Sequence, residues 1–343
     1  MRFVILGAGA VGGTIGGLLH DSGHEVTLVA RGRHAAAMRS AGLTLATPSR
    51  TLTVTTEVVG DPAELRLRRD DVLLLATKTQ DTVALLDTVA GLRVDGRPAA
   101  AVLPVFCAQN GVANERITAR RFVDVHGVLV LLPAVLLEPG RIEAQGTPYS
   151  GLLDVGRWPR GTSFIDEAVA EALTASNFVS RACGDVMRWK HAKLLRNLGN
   201  AIEALCGHDL DDDEDAMAVV RELDKRLRTE AESCLAAAGI DWVSDDEWVE
   251  RRRDQVQLAP VEGRPRMGGS SWQSLARGLG SIEADFLNGE IALLGRQYDV
   301  PTPANATLQM LANRAARQGA APGGLRPQDI VKAIDDEEGH ADG

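Results

Sequence analysis

Six residues near the start of the chain, Gly7-Ala8-Gly9-Ala10-Val11-Gly12, follow a β-branched apolar run and open a helical pattern. A G-x-G-x-x-G turn in that setting suits a dinucleotide pyrophosphate. Gly7 permits the tight turn, Gly9 lets a phosphate approach the backbone, and Gly12 lets helix and strand pack closely. The helix that begins at Ala10 and Val11 offers free N–H groups and partial positive charge to the phosphates. The next strand indicates which dinucleotide. It runs into Ala30-Arg31-Gly32-Arg33, with no acid between Glu25 and Glu57 to hold a ribose 2′-hydroxyl. Arg31 can instead stack on adenine and pair with a 2′-phosphate through its planar fork. NADP(H) is therefore expected over NAD(H), the plain alternative being a solvated loop arginine.

A second constellation lies far downstream. Lys193, Asn197 and Asn200 stand at i, i+4 and i+7 and share one helix face, opposite a stripe of Leu194, Leu198, Ile202 and Leu205. Spacing alone leaves two readings open. Lys190, Lys193, Arg196 and Glu203 can form an ordinary solvated face, or the two asparagines, poor helix formers, are there for a purpose.

The elements that must carry these residues fall into two halves. Arg2–Leu6, Glu25–Ala30, Val72–Ala76, Ala101–Phe106 and Val125–Leu132 read as strands separated by helical patterns, which predicts βαβ units and a parallel sheet covered on both faces. Strand-like segments around Leu136–Gly156 and a helix over Asp166–Ala175 close this half. From about Val186 the period becomes helical, with helices expected over Trp189–Leu205, Asp215–Ala238, Ile282–Arg296 and Ala304–Arg317. The last follows Pro301-Thr302-Pro303. No strand is expected beyond about residue 180. Asp211–Asp215 reads as an acidic surface loop. The division expected is a nucleotide-binding domain over 1–184, a helical domain over 185–330 and a frayed tail over 331–343.

Several motifs then occur in one order: Gly7–Gly12, Arg31, Lys78 in A-T-K-T, Gln109-Asn110-Gly111, Trp189 with Lys193-Leu-Leu-Arg-Asn197, Gly269-Ser270-Ser271, Ile282-Glu283-Ala-Asp285-Phe-Leu-Asn288-Gly289, and Val300-Pro301-Thr302-Pro303-Ala-Asn305. This ordered set resembles the ketopantoate reductases (2-dehydropantoate 2-reductases) over nearly the whole chain. The resemblance implies an α/β Rossmann-type N-terminal domain with a parallel sheet, plus an all-α C-terminal domain. It also implies NADPH-dependent reduction of a 2-oxo acid, 2-dehydropantoate to pantoate, in pantothenate biosynthesis. On that pattern Lys193 is the general acid and Glu283 supports it near the substrate. Ser271, Asn197 and Asn200 hold substrate oxygens, and Lys78 and Asn110 lie by the nicotinamide ribose. The chain departs from the family pattern in places. Leu275 stands where well-known members carry an aspartate, Trp272 crowds Ser271, Arg196 replaces an apolar residue, and the second helix asparagine commonly falls one residue after Asn200. A relative that reduces a different 2-oxo acid or ketone is thus the rival reading. An NADP-sensing protein without turnover is a third, opposed by the presence of both Lys193 and Glu283.

Composition bounds these readings. The chain has 343 residues, 45% hydrophobic and 24% charged, enough for two domains with full cores. Lys+Arg at 37 against Asp+Glu at 47 gives a formal charge of −10, which argues against a broad nucleic-acid footprint. The four cysteines, Cys107, Cys183, Cys206 and Cys234, are far apart, with no metal-site spacing and no disulfide framework. A reducing cytoplasm fits them. No stretch reaches about 18 apolar residues, so no membrane span is expected. A small-molecule acid substrate is the expected partner, no metal is expected, and a homodimer is compatible with everything above.

Overall fold

The computed structural model describes residues 1–207, 213–264 and 268–341, so the expected acidic loop at Asp211–Asp215 lies partly outside the described residues. The chain forms two compact units. One comprises Met1–Lys190 with Val243–Arg266, the other His191–Trp242 with Met267–Gly343.

The first unit runs β1 (Arg2–Leu6), α1 (Ala10–Asp21), β2 (Glu25–Val29), α2 (Gly32–Ala41), β3 (Leu43–Ala46), β4 (Thr51–Val54), β5 (Glu57–Val59), β6 (Asp71–Leu75) and α3 (Thr79–Ala90). It continues through β7 (Arg93–Val94), β8 (Arg97–Pro98), β9 (Pro104–Cys107), α4 (Ala113–Ala119), β10 (Asp124–Leu131), β11 (Ala134–Glu138) and β12 (Arg141–Ala144). Then come β13 (Gly146–Pro148), β14 (Gly151–Arg157), α5 (Phe164–Ala175), β15 (Phe178–Val179) and the start of α6 (Val186–Asn197). Eight strands form the main sheet in the order β15-β14-β10-β9-β6-β1-β2-β5. Every pairing in it is parallel except β10 with β14. All five residues of β1 and of β6 are buried, as expected for central parallel strands covered on both faces. Phe3, Ile5, Leu28 and Phe106 fill one side of the sheet, Val4, Leu73, Leu75 and Val105 the other. A smaller sheet, β11-β12-β3-β4, lies against α1, where a side chain at Gly13 would meet Ile142.

The second unit is helical: the end of α6, α7 (Asn200–Cys206), α8 (Glu214–Ala237), α10 (Ser270–Ala276), α11 (Asn288–Tyr298), α12 (Pro303–Arg317) and α13 (Pro327–Ala341). Between α8 and α10 the chain returns to the first unit as α9 (Asp245–Arg252) and β16 (Val256–Leu258).

Three expectations need correction here. A strand does occur beyond residue 180, because β16 pairs antiparallel with β13. The expected domain edges at 184 and 330 differ from the compact units, since the 243–266 segment belongs with the sheet and unit 1 extends to Lys190. Residues 331–341 are helical rather than a frayed tail. Ile330 and Ile334 bury one face of α13, and Arg226 of α8 pairs with Asp335 and Glu338 on it. Among the described residues, no helix is long and apolar enough to cross a membrane.

Candidate functional site

In the first unit the candidate residues gather at the carboxyl ends of the central strands, the usual ligand edge of an open α/β sheet. Gly7 leaves β1 at φ 106°, and a Cβ there would stand 2.7 Å from the Thr77 backbone nitrogen. A Cβ on Gly12 would run into the Gly7 carbonyl oxygen, so glycine is what lets α1 cross the strand end. Gly9 differs from both: a Cβ there meets nothing within 4 Å. It flanks α1 with no side-chain cap, leaving the first-turn N–H groups of Ala10, Val11 and Gly12 to answer an anion. This turn is a mould with one open side, and a dinucleotide pyrophosphate fits it.

Arg31 precedes α2 with its side chain 75% exposed and pairs with Asp81 Oδ1 at 3.2 Å. The ion pair is solvated and easily exchanged for a phosphate. The Asp81 partner comes from α3, far from Arg31 in the sequence. Lys78 directly precedes the same helix.

Asn110 sits in the loop after β9, and its Oδ1 is buried with no partner in the protein. Its neighbour Gln109 donates from Nε2 to the Thr77 carbonyl and to Thr82 Oγ1, both at 2.9 Å. Asn114 extends the network: its Nδ2 donates to Thr79 Oγ1, and its Oδ1 accepts from Thr82. The loops after β6 and β9 are thus cross-braced, while the Oγ1 of Thr77, Gln109 Oε1 and Asn110 Oδ1 remain without protein partners. Buried orphan acceptors suit a ligand that brings donors, as a nicotinamide carboxamide and ribose do.

Lys190 is not part of a solvated face. It is 3% exposed, lies 2.6 Å from Glu115 Oε1, and donates to the Gln109 carbonyl at 3.0 Å. The Val128 and Cys107 carbonyls are 3.3 and 3.4 Å away. The amino half of α6 is thereby nailed to the end of β9, the middle of β10 and α4. Sequence reasoning missed Lys190 and Glu115 because their spacing, 75 positions apart in the chain numbering, carries no local signal.

The second unit holds the other candidates. Lys193 and Asn197 lie on α6, half-buried, but the expected single helix breaks at Leu198-Gly199 and Asn200 opens α7. Lys193 and Asn197 therefore share one helix, while Asn200 stands on the next. Two long-range features mark the break. Asn288 Nδ2 donates to the Leu198 carbonyl at 3.1 Å, and a Cβ on Gly199 would strike Asp224. Asn288 is braced by Asn305, whose Nδ2 donates to the Leu227 carbonyl and to Glu230. Burial pushes the Glu230 carboxyl up, although it accepts from the Asn305 and Ala304 N–H groups at the start of α12. Asn197 Nδ2 is a buried donor without a protein partner.

Ser271 is 4% exposed on α10, which packs along α7. Glu203, expected as surface charge, accepts from the Gly269 N–H at 2.9 Å and so fixes the entry to α10. Trp272 lies over Gly268, and Leu275 is buried. Glu283 opens a 3-10 turn, Glu283–Phe286, that precedes α11. This unit also carries an open cleft of about 520 Å³ whose walls include Leu195, Arg196, Ile202, Glu203, Met217 and Asp224. None of the expected catalytic or substrate residues lines it. The four cysteines are free and buried, with burial pushing the Cys183 and Cys206 thiols up to about 12, so none is a ready nucleophile. Among the described residues, no cluster of His, Cys, Asp and Glu could hold a metal ion.

Comparison with known proteins agrees with this layout. Residues 3–160 match the family described as ketopantoate reductase PanE/ApbA, and residues 185–316 match its C-terminal counterpart. A 2-dehydropantoate 2-reductase of Pyrococcus horikoshii is 27% identical over 316 residues, covering 91% of this chain and 96% of that protein. The crystal structure of a PanE/ApbA family ketopantoate reductase from Ralstonia eutropha JMP134 superposes with a TM-score of 0.75 at 27% identity, over 93% of this chain and 99% of that one. A D-mandelate dehydrogenase, solved with NADH and anilino(oxo)acetate, shares the fold with a TM-score of 0.78 at 21% identity, over 93% of this chain and 99% of that one.

Proposed function

The chain belongs to the ketopantoate reductase family, and from that premise we propose that it reduces a 2-oxo acid, 2-dehydropantoate to pantoate, with NADPH. The observation that carries the proposal is the pairing of a glycine mould open only at Gly9 with a buried, unanswered donor on Asn197, in a chain that matches both family halves.

NADPH, when bound, would supply the hydride for C2 of the acid. The glycine turn and the α1 N-terminus would hold its pyrophosphate, Arg31 its 2′-phosphate, and Lys78 and Asn110 the nicotinamide end. Lys193 gives the proton to the carbonyl oxygen, and its ammonium stabilises the alkoxide as charge develops. Glu283 orients that lysine. Asn197 offers its orphan N–H to a substrate oxygen, and Ser271 donates to the carboxylate. Asn200, on a helix of its own, has a weaker claim to the same substrate than Asn197.

Trp272 and Leu275 beside Ser271 favour a second reading, in which the preferred 2-oxo acid is a more apolar one. Following reduced-nicotinamide absorbance with 2-dehydropantoate and a panel of other 2-oxo acids separates the two. Equal kcat/KM for NADPH and NADH would remove the cofactor assignment. No turnover with any 2-oxo acid would remove the reductase proposal and leave a cofactor-sensing protein.

A further inference from the structure

His34, in the first turn of α2, makes two backbone contacts that neither the glycine motif nor the mechanism uses. Its Nδ1 accepts from the Gly140 N–H at 2.9 Å, and its Nε2 stands 2.7 Å from the Ala8 carbonyl oxygen. A backbone N–H can only donate, so Nδ1 carries the lone pair. The neutral ring must then carry its proton on Nε2, where it donates to Ala8. Gly140 is itself fixed, at the turn between β11 and β12 with φ 84°, its carbonyl accepting from the Thr44 N–H at 2.8 Å. His34 thus ties the cofactor turn to an anchored hairpin.

The Ala8 carbonyl and the Gly9 N–H belong to one peptide unit. Planarity sets them pointing in opposite directions when that bond is trans, and the cis bonds of the described chain are elsewhere. Holding the Ala8 oxygen back toward α2 therefore aims the Gly9 N–H away from it, and Gly9 is the one motif glycine with open space around it. Ala8 is already tethered by its own N–H to the Val29 carbonyl at 2.8 Å. Glycine on the far side of the peptide offers little resistance to a flip of that plane.

We infer that His34 is a positioning residue for the dinucleotide, fixing the Ala8–Gly9 peptide plane so that the Gly9 N–H faces the pyrophosphate. The inference rests on the reading that Gly7–Gly12 binds a nicotinamide dinucleotide.

Two substitutions divide the ring's roles. In His34→Gln the side-chain amide reaches as far as Nε2 and keeps the donor to Ala8. In His34→Asn the amide oxygen takes the place of Nδ1 and keeps only the acceptor for Gly140. NADPH affinity is measured by the fluorescence of the bound reduced nicotinamide, and the thermal midpoint is recorded for each protein. The expected result is that His34→Asn weakens NADPH binding by about five- to tenfold, the effect of one hydrogen bond, while His34→Gln stays within about twofold of wild type. Equal affinity for both variants, whether unchanged or equally weakened, overturns the inference, as does an affinity that merely follows the thermal midpoint. Failure of the wild-type chain to bind NADPH or NADH overturns instead the dinucleotide reading beneath it.

Discussion

The glycine turn after β1 and the helix break after α6 solve opposite problems. At the turn, space is so short that side chains at Gly7 and Gly12 would meet backbone, and only Gly9 opens outward. At the break, the backbone is held by distant side chains, Asn288 on the Leu198 carbonyl above all, and a donor on Asn197 is left buried and unanswered. One region is shaped by backbone alone, with a single open side at Gly9. The other keeps a buried side-chain donor without a protein partner, which the proposed reading assigns to a substrate oxygen. A part that serves many substrates can be rigid backbone, whereas a part that distinguishes one acid from another needs side chains able to be left incomplete.

If this contrast holds, changes in the second unit should strike turnover and changes in the first should strike cofactor binding or folding. Lys193→Ala should give the largest effect, a fall in kcat of roughly 10²–10⁴, with NADPH affinity nearly unchanged. Wild-type turnover in that variant would return the α6 face to ordinary solvated charge. Lys190, one turn earlier, should behave differently. Lys190→Met strands the buried Glu115 carboxylate and should cost about 3–5 kcal/mol of stability, most of it recovered in the double variant with Glu115→Leu. A single variant no less stable than the double would show that the pair is not what nails α6 down. Arg31→Asp should cost about 1–3 kcal/mol in NADPH binding while leaving NADH binding little altered, read from the two dissociation constants. Ser271→Ala should cost about 1–3 kcal/mol in kcat/KM, chiefly through KM, because a carboxylate contact exists in ground and transition states alike. A variant with KM unchanged and kcat reduced would reverse that assignment.

The smallest effect concerns stability of the first unit alone. His126 is fully buried, stacked on Phe106, with Nδ1 2.7 Å from Asp166 and Nε2 3.2 Å from Asp124. Burial by itself would lower its pKa, but the two carboxylates outweigh it and raise the value above the usual 6.5. A raised folded-state pKa gives stability that is complete below 6.5 and is lost as pH climbs through the folded value. The thermal midpoint of wild type relative to His126→Gln should therefore shrink as pH rises above neutrality. A difference that stays constant, or grows, across that window would contradict the assignment.

The same contrast explains which features could be read from the chain alone. Excluded volume has one common answer, glycine, so the cofactor turn and the parallel strands around it stand out in the residues themselves. Arg31 was visible for a similar reason, since no acid stands at the end of β2. Its partner Asp81 was not, because that contact depends on where α3 begins. Lys190 looked like surface charge until β9 and β10 closed around it, and Glu203 until α10 packed along α7. The break at Leu198-Gly199 falls within a continuous apolar stripe, and the side chain that takes up the Leu198 carbonyl, Asn288, lies 90 residues away. β16, three residues among charges, is a strand only because β13 has an open edge to receive it.

The excursion of residues 243–266 into the first unit sets how the chain can be cut and rejoined. Arg251 in that segment donates from Nε to the fully buried Asp154 at 2.8 Å, and Arg264 to the buried Glu143 at 2.9 Å. A fragment ending at Lys190 would keep both carboxylates, lose an arginine from each, and leave β13 with a bare edge. Recombination at one junction would thus deliver an incomplete cofactor module, and exchange between relatives must carry two separate stretches of chain at once. The two units are distinct as solids and inseparable as heritable pieces.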